Sequence, residues 1–414
     1  MKIAIIGAGI SGLINAYKLS NKHQITIYEQ TKQIGGLCSG FQSDGKYVDK
    51  YNHFFSKSDK ELMQVISNLG ISQKIFWRKS SQCLSINDKL QGLSNPFNLF
   101  AMKNISLIDK IKTGLFLLEN LSSKMNIDLN DKNPEEWIID KCGIKVFNLL
   151  FKPLLTFKTQ ETEDISAMYL KARIKERKNN TIGVLEGGMH TLLVALRDRL
   201  HKNKAHIWLN SKVRKIMRNE KNKWNVVLDT GMEEYDLVIA CISLSDASAL
   251  FVANPGFIVP EYLNVGTWVL DLNKPLNQKY WICLIDDPQK KRHVIVNTQP
   301  LDGENRVYFT FYKRSQKITS EIENEMFDSC CASLKKINPE FNQQWIIQKT
   351  FHSDVNVEPV FTQKFISRLY GAFESFKGLY LPDLIYMPQL LKTINTSIIK
   401  SSIIKQRIKK EFKV

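Results

Sequence analysis

The residues best suited to chemistry stand in the first forty positions: Gly7, Gly9 and Gly12 in the spacing GxGxxG, an acid at Glu29, and the pair Gly35-Gly36. The first three glycines follow an apolar run, KIAII at residues 2–6, and open a helical pattern over residues 10–20. Each has its own use at such a strand-to-helix turn. Gly7 permits the tight turn, Gly9 removes the Cβ that would block a pyrophosphate, and Gly12 lets the helix approach the strand. The first helical turn, with Ile10 and Ser11, offers N–H groups without intrahelical acceptors at the positive end of the helix dipole. Glu29 ends a second strand, QITIYE, where a carboxylate can accept hydrogen bonds from a ribose and disfavours a 2′-phosphate. The chemistry implied is the holding of a dinucleotide.

Around this βαβ opening the chain must supply a larger frame. A helix is predicted over 58–69, before a polar stretch around Cys83 to Asp88. From Pro96 to about Arg177 the pattern is mainly helical, with Ile108, Ile111, Leu115 and Leu118 at three- and four-residue intervals. Asn133-Pro134 followed by Glu135 and Glu136 marks a helix start. Residues 205–241 and 263–315 read as strands, 319–336 as a helix, and the end as a strand, GLYL, and a terminal helix. No repeat or low-complexity linker separates these parts, so interleaved domains are expected.

Composition excludes several classes. A length of 414 residues exceeds one small domain. The net charge of +17 is diffuse, with no RNP-type aromatic motif, helix-turn-helix or zinc module to focus it on nucleic acid. Seven cysteines without metal-ligand spacing read as free thiols in a reducing compartment, and no metal site is expected. No apolar run reaches the roughly 18 residues of a membrane span, and no signal peptide precedes the first strand, so a cytoplasmic protein is expected. The terminal segment alternates Lys400, Lys405, Arg407, Lys409, Lys410 and Lys413 with Ile398, Ile399, Ile403, Ile404, Ile408 and Phe412. That pattern fits either a peripheral contact with the inner face of a membrane or a helix packed through its isoleucines with lysines in water.

Residues 3–39, with Gly35-Gly36-Leu37-Cys38-Ser39 close behind Glu29, resemble the amine oxidase, protoporphyrinogen oxidase and phytoene desaturase superfamily of FAD-dependent oxidoreductases. The family often has Arg after the glycine pair; here Leu37 stands, as in a subgroup reading GGL. Further similarity runs through Asp49-Lys50-Tyr51-Asn52-His53-Phe54-Phe55, Glu136-Trp137, Phe151-Lys152-Pro153-Leu154-Leu155, Leu185-Glu186-Gly187-Gly188-Met189, Tyr280-Trp281 with Asp286, and Val307-Tyr308-Phe309. The resemblance implies non-covalent FAD held by Gly7, Gly9, Ile10, Ser11, Gly12, Glu29, Gly35, Gly36, Leu37 and Val213. It also implies Asp383, and Asn395 and Thr396 at a helix start by the flavin. The C-terminal part departs from the family: Pro382-Asp383 replaces Ala-Gly-Asp, Pro388 and Asn395-Thr396-Ser397 follow, and Ser401 stands where a glycine is usual. His53 is a candidate catalytic acid or base, or a satisfied histidine among aromatics. Cys38 reads as a small loop-filling residue rather than a reactive thiol.

The fold expected is α/β, with a Rossmann-like FAD-binding domain of the glutathione-reductase type from residues 1–80, 183–250 and 355–414. An interleaved α+β substrate domain is expected from 81–182 and 251–354, capping the flavin. The function implied is removal of a hydride from a C–N or C–C bond of a small organic or lipid-like substrate onto flavin N5, with an unidentified electron acceptor. A flavin isomerase resembling UDP-galactopyranose mutase and a degenerate, non-catalytic flavoprotein are the alternatives.

Overall fold

The computed structural model describes residues 1–86, 89–92, 102, 105–122, 129–159, 164–176, 181–251, 259–284, 293–298, 303–369, 378–384 and 393–413. Pro96, Asp286 and Pro388 lie outside them. The chain divides into two compact units, Met1–Phe76 with Gly183–Pro260 and Arg368–Val414, and Trp77–Ile182 with Glu261–Ser367.

The first unit is built on a parallel sheet. Its strands are β1 (Lys2–Ile6), β2 (Gln24–Tyr28), β3 (His206–Trp208), β4 (Leu237–Ala240) and β5 (Leu379–Tyr380), in the order β5-β4-β1-β2-β3. Every neighbouring pair is parallel, with Ile3 opposite both Leu237 and Ile25. The central strands are apolar on both faces, as a sheet covered on both sides requires, and Ile3, Ile5, Ile25, Ile27 and Ile239 are fully buried. Helices α1 (Ile10–Leu19), α2 (Lys60–Asn68), α3 (Met189–Lys202) and α4 (Ile394–Phe412) belong to this unit. A three-stranded antiparallel sheet, Val213–Arg218, Trp224–Leu228 and Gly231–Tyr235, leads into β4.

Helix α4 packs on α1 through part of its apolar face. Its Ile398, Ile404 and Ile408 are buried, and Lys18 of α1 donates to the Ile398 carbonyl at 2.7 Å. These three isoleucines pack inward, Ile399 and Ile403 stay half-exposed, and Arg407, Lys409 and Lys410 face outward.

The second unit carries a seven-stranded mixed sheet in the spatial order Ile346–Pro359, Tyr262–Leu272, Arg306–Arg314, His293–Asn297, Trp281–Leu284, Gln82–Ile86 and Lys89–Gly92. The helix Ser320–Ile337 packs on it through Met326, Cys330 and Leu334, against Trp268, Phe309 and Phe311. One stretch without an assigned element gains one, and one expected boundary is corrected. Gln82–Ile86 is a strand, because it pairs in parallel with Trp281–Leu284, a partner two hundred residues away that local polarity does not reveal. The expected return to the first domain at residue 355 falls inside the strand Ile346–Pro359, whose long pairing with Tyr262–Leu272 keeps the chain in the second unit to Ser367. The helix after Asn133 starts as expected: Pro134 leads it and the Asn133 side chain accepts from the Glu135 N–H at 2.7 Å.

Candidate cofactor site

The glycine turn sits at the carboxyl end of β1, in the middle of the sheet. Gly7 has a left-handed φ of +95°, and a Cβ there would lie 2.8 Å from the Cys241 carbonyl oxygen. A Cβ on Gly12 would lie 1.9 Å from the Gly7 carbonyl oxygen, so helix α1 approaches this close only with glycine. Gly9 differs: a Cβ there would meet nothing nearer than Gly35 and Gly36, both at 4.0 Å. Packing explains Gly7 and Gly12 but leaves Gly9 without an internal reason. Gly9 caps α1 and remains half-exposed together with Ile10 and Ser11, while Gly7 and Gly12 are buried.

The other predicted residues converge on this turn to different degrees. Gly35 forms an isolated bridge with Gly9 and donates its N–H to the Ala8 carbonyl at 2.8 Å. Gly35 and Gly36 both take positive φ, and a Cβ on Gly35 would strike Leu193 at 2.6 Å. Leu37 beside them is half-buried. Glu29 is buried; one carboxylate oxygen accepts the Ala8 N–H at 2.8 Å and the other accepts the Thr31 N–H and hydroxyl, each at 2.9 Å. The Glu29 carbonyl accepts the Ser211 N–H at 2.8 Å, which brings the chain leading to Val213 alongside. Asp383 lies in a short turn after β5 and acts electrostatically on Cys241, whose carbonyl abuts Gly7.

His53 is tied to the same loop, with its Nε2 3.7 Å from the Cys38 Sγ. Burial lowers its pKa to about 4, against a smaller opposing effect of the hydrogen bond to the Tyr51 backbone. The ring is therefore neutral near pH 7, a proton acceptor or hydrogen-bond donor rather than a cation. Burial also pushes the Cys38 thiol far above its ordinary range, which removes it as a nucleophile.

Asn395 and Thr396 serve within the framework of the unit. The Asn395 Oδ1 accepts the Leu62 N–H at 3.0 Å, capping α2 from a distant part of the chain. Thr396 completes a capping box with Thr393 at the start of α4. Both side chains are thus engaged by helix ends, and what α4 offers outward is its own amino terminus.

Three residues that the sequence did not single out as site residues stand close by. Asn15 donates to the Ser11 carbonyl at 2.9 Å and to the Cys241 Sγ at 3.6 Å, while its buried Oδ1 has no hydrogen-bond partner. A polar residue inside the apolar run Leu13-Ile14-Asn15-Ala16 was the available signal. Cys241 is held by Ser11 and Asn15, and burial pushes its thiol up to about 12. Asp49 accepts the Met189 N–H at 3.0 Å, capping α3, and a Cβ on Gly188 would lie 2.7 Å from its Oδ1. Burial raises this carboxyl to about 7, with the Met189 N–H acting in the opposite direction.

Among curated proteins, the chain is similar to a 15-cis-phytoene desaturase of Capsicum annuum, 22% identical over 245 residues that cover 53% of this chain and 42% of the relative. It is similar to a coproporphyrinogen III oxidase of Staphylococcus aureus, 23% identical over 281 residues that cover 57% of this chain and 59% of the relative. The chain spans about half the length of these curated relatives. The solved structure of reduced UDP-galactopyranose mutase shares the fold, with a TM-score of 0.75 at 14% identity over 98% of this chain and 93% of that one. A sequence model of the flavin containing amine oxidoreductases matches residues 10–263, more than half of the chain. The chain belongs to the flavin containing amine oxidoreductase family.

Proposed function

We propose that the first unit binds FAD non-covalently and that the protein is an oxidoreductase acting on a C–N or C–C bond of a small organic or lipid-like substrate. The observation that carries this reading is the contrast at the glycine turn: Gly7 and Gly12 are required by their neighbours, whereas Gly9 faces an opening that its neighbours leave free. A ligand phosphate accounts for glycine there, because the backbone must come within hydrogen-bond distance of it. The accessible first turn of α1, with Ile10 and Ser11, supplies N–H groups to that phosphate. Glu29 would exchange its Ala8 partner for ribose hydroxyls, and the backbone at Val213 would meet the adenine. Asp383 and the amino terminus of α4 would serve the ribityl and flavin end.

Bound FAD would supply the hydride-accepting chemistry, at its N5. The chain's own residues bind, orient and exclude water. His53 would act as a neutral hydrogen-bonding group near the flavin. Covalent attachment through the C-terminal segment is ruled out by residue type, since no Cys or His lies between Asp383 and Ser401.

The fold shared with reduced UDP-galactopyranose mutase supports a second reading, isomerisation by reduced flavin without net oxidation. Anaerobic mixing of the purified protein with an amine, a porphyrinogen and a polyene separates the two. The oxidoreductase reading expects the visible flavin band to bleach with one of these classes and return with an acceptor. No bleaching by any of them, with dithionite-reduced protein converting a nucleotide sugar, would establish the isomerase instead.

A further inference from the structure

Helix α1 carries the glycine turn at one end and a cluster of cations at the other. Its ten residues, at 1.5 Å each, put about 15 Å between the two. A cleft beside its carboxyl end is lined by Lys18, Lys22 and His23, and from α4 by Lys405, Ile408 and Lys409. Lys405 and Lys409 stand four residues apart, so their side chains share one face of α4. No carboxylate lines the cleft, and among the described residues none of its four lysines forms an ion pair. Glu61 acts on Lys18 from outside it, a single negative charge against four positive ones.

The cations are held together rather than left to spread. Lys18 is half-buried and anchored across the two helices, donating to the Ile398 carbonyl at 2.7 Å and to the Ser402 hydroxyl. Burial, and then the charge of Lys405, lower its pKa to about 8, so it stays largely charged at pH 7 and repels its neighbours. Burial and nearby positive charges, Lys22 and Lys405 among them, also lower His23 and keep its ring neutral. The buried His23 Nδ1 has no hydrogen-bond partner, which leaves the ring proton on Nε2. Along the sequence the +17 charge is diffuse; the packing of α4 on α1 concentrates part of it at one place.

We infer that this cleft is a binding site for a phosphate group, separate from the glycine turn. Lysine ammonium groups are compact point charges that suit phosphate, whereas a carboxylate is better met by the planar fork of arginine, and no arginine lines the cleft. A phosphate monoester carries about −1.5 to −2 at pH 7, enough to engage several ammonium groups at once. The cleft is shallow and open, about 270 Å³ with the solvent in its mouth, so the group it takes stays partly in water. Such a phosphate belongs either to a soluble compound or to a phospholipid headgroup.

Calorimetric titration of the full chain with pyrophosphate, beside co-sedimentation with phosphatidylglycerol vesicles, tests the site and separates the two sources. Lys405→Gln/Lys409→Gln should weaken binding at least about tenfold at low ionic strength. Binding at the glycine turn, at the far end of α1, would not respond to that pair. Lys22→Gln should give a smaller loss from the α1 side and serves should the pair disturb α4. Lys335→Gln/Lys336→Gln removes the same charge from exposed positions of the second unit and should bind like wild type. A loss confined to pyrophosphate assigns a soluble ligand, and a loss confined to vesicles assigns a headgroup; either supports the site. Wild type that binds neither would overturn the inference. So would cleft variants that bind like wild type, or control variants that lose as much, since net charge alone would then account for the binding.

Discussion

Two alanine substitutions, at Gly12 and at Gly9, test the glycine turn. In Gly12→Ala the new methyl would stand 1.9 Å from the Gly7 carbonyl oxygen and 3.1 Å from its carbon, so α1 or the turn must move by more than an ångström. Overpacking against backbone this close belongs at the upper end of the usual range, about 3 kcal/mol, and alanine's better helix propensity returns about 1 kcal/mol, leaving a net loss of about 2 kcal/mol. In Gly9→Ala the nearest atoms stand at 4.0 Å, and the backbone, at φ −66° and ψ 175°, suits any residue. The apoprotein should lose about 1 kcal/mol or less, the difference between glycine and alanine as a helix cap. The same methyl faces the opening offered to the cofactor phosphates, so FAD should bind at least about tenfold more weakly, or about 1.4 kcal/mol. Denaturant unfolding of the apoproteins, with titration of added FAD followed by flavin fluorescence, reads both quantities. The reasoning fails if Gly9→Ala binds FAD like wild type, or if Gly12→Ala unfolds at the wild-type midpoint.

Other outcomes follow from the buried polar groups. Asp49 has a folded-state pKa of about 7 against an ordinary 3.8, so its contribution to stability is complete below about pH 4 and lost as the pH rises through 7. The loss is bounded at about 4 kcal/mol, and Asp49→Asn, which keeps an acceptor for the Met189 N–H, should flatten the pH dependence of unfolding across that window. An unchanged slope in the variant would contradict the assignment. In the second unit Lys158 pairs with Glu358, both largely buried, and Tyr169 donates to the same carboxylate at 3.3 Å. Lys158→Met should cost about 3–5 kcal/mol in urea unfolding, and Lys158→Met/Glu358→Leu should recover most of it; equal losses would show that the charge left behind is not the cause. The imidazole of His53 should titrate by NMR well below pH 5, and a midpoint near the ordinary 6.5 would contradict its enclosure.

The parts of this protein that were legible in the sequence are those fixed by neighbours along the chain. The turn Gly7–Gly12 and the acid at Glu29 fall within one βαβ unit, so spacing alone declares them. The helix start at Asn133 and the helix over Ser320–Ile337 are equally local, with caps and periodicity in a single window. Roles that need the tertiary fold were hidden. Asn395 caps α2 across more than three hundred residues, Asp49 caps α3, and Cys241 reaches the glycine turn only because β4 lies beside β1. The intervals of Ile108, Ile111, Leu115 and Leu118 identified a helix, but periodicity cannot say which face turns inward, and here the aliphatic face turns out. The strand Gln82–Ile86 was missed for the same reason: its apolar partner is supplied by a distant segment.

The central claim is that the first unit holds FAD by non-covalent contacts at the glycine turn, and the visible absorbance spectrum of the purified protein tests it most directly. The account predicts flavin bands that bleach with dithionite and leave the protein on acid precipitation. A colourless protein that also fails to take up added FAD would contradict it, and would make the departure at Pro382-Asp383 the mark of a chain that keeps the fold without the cofactor.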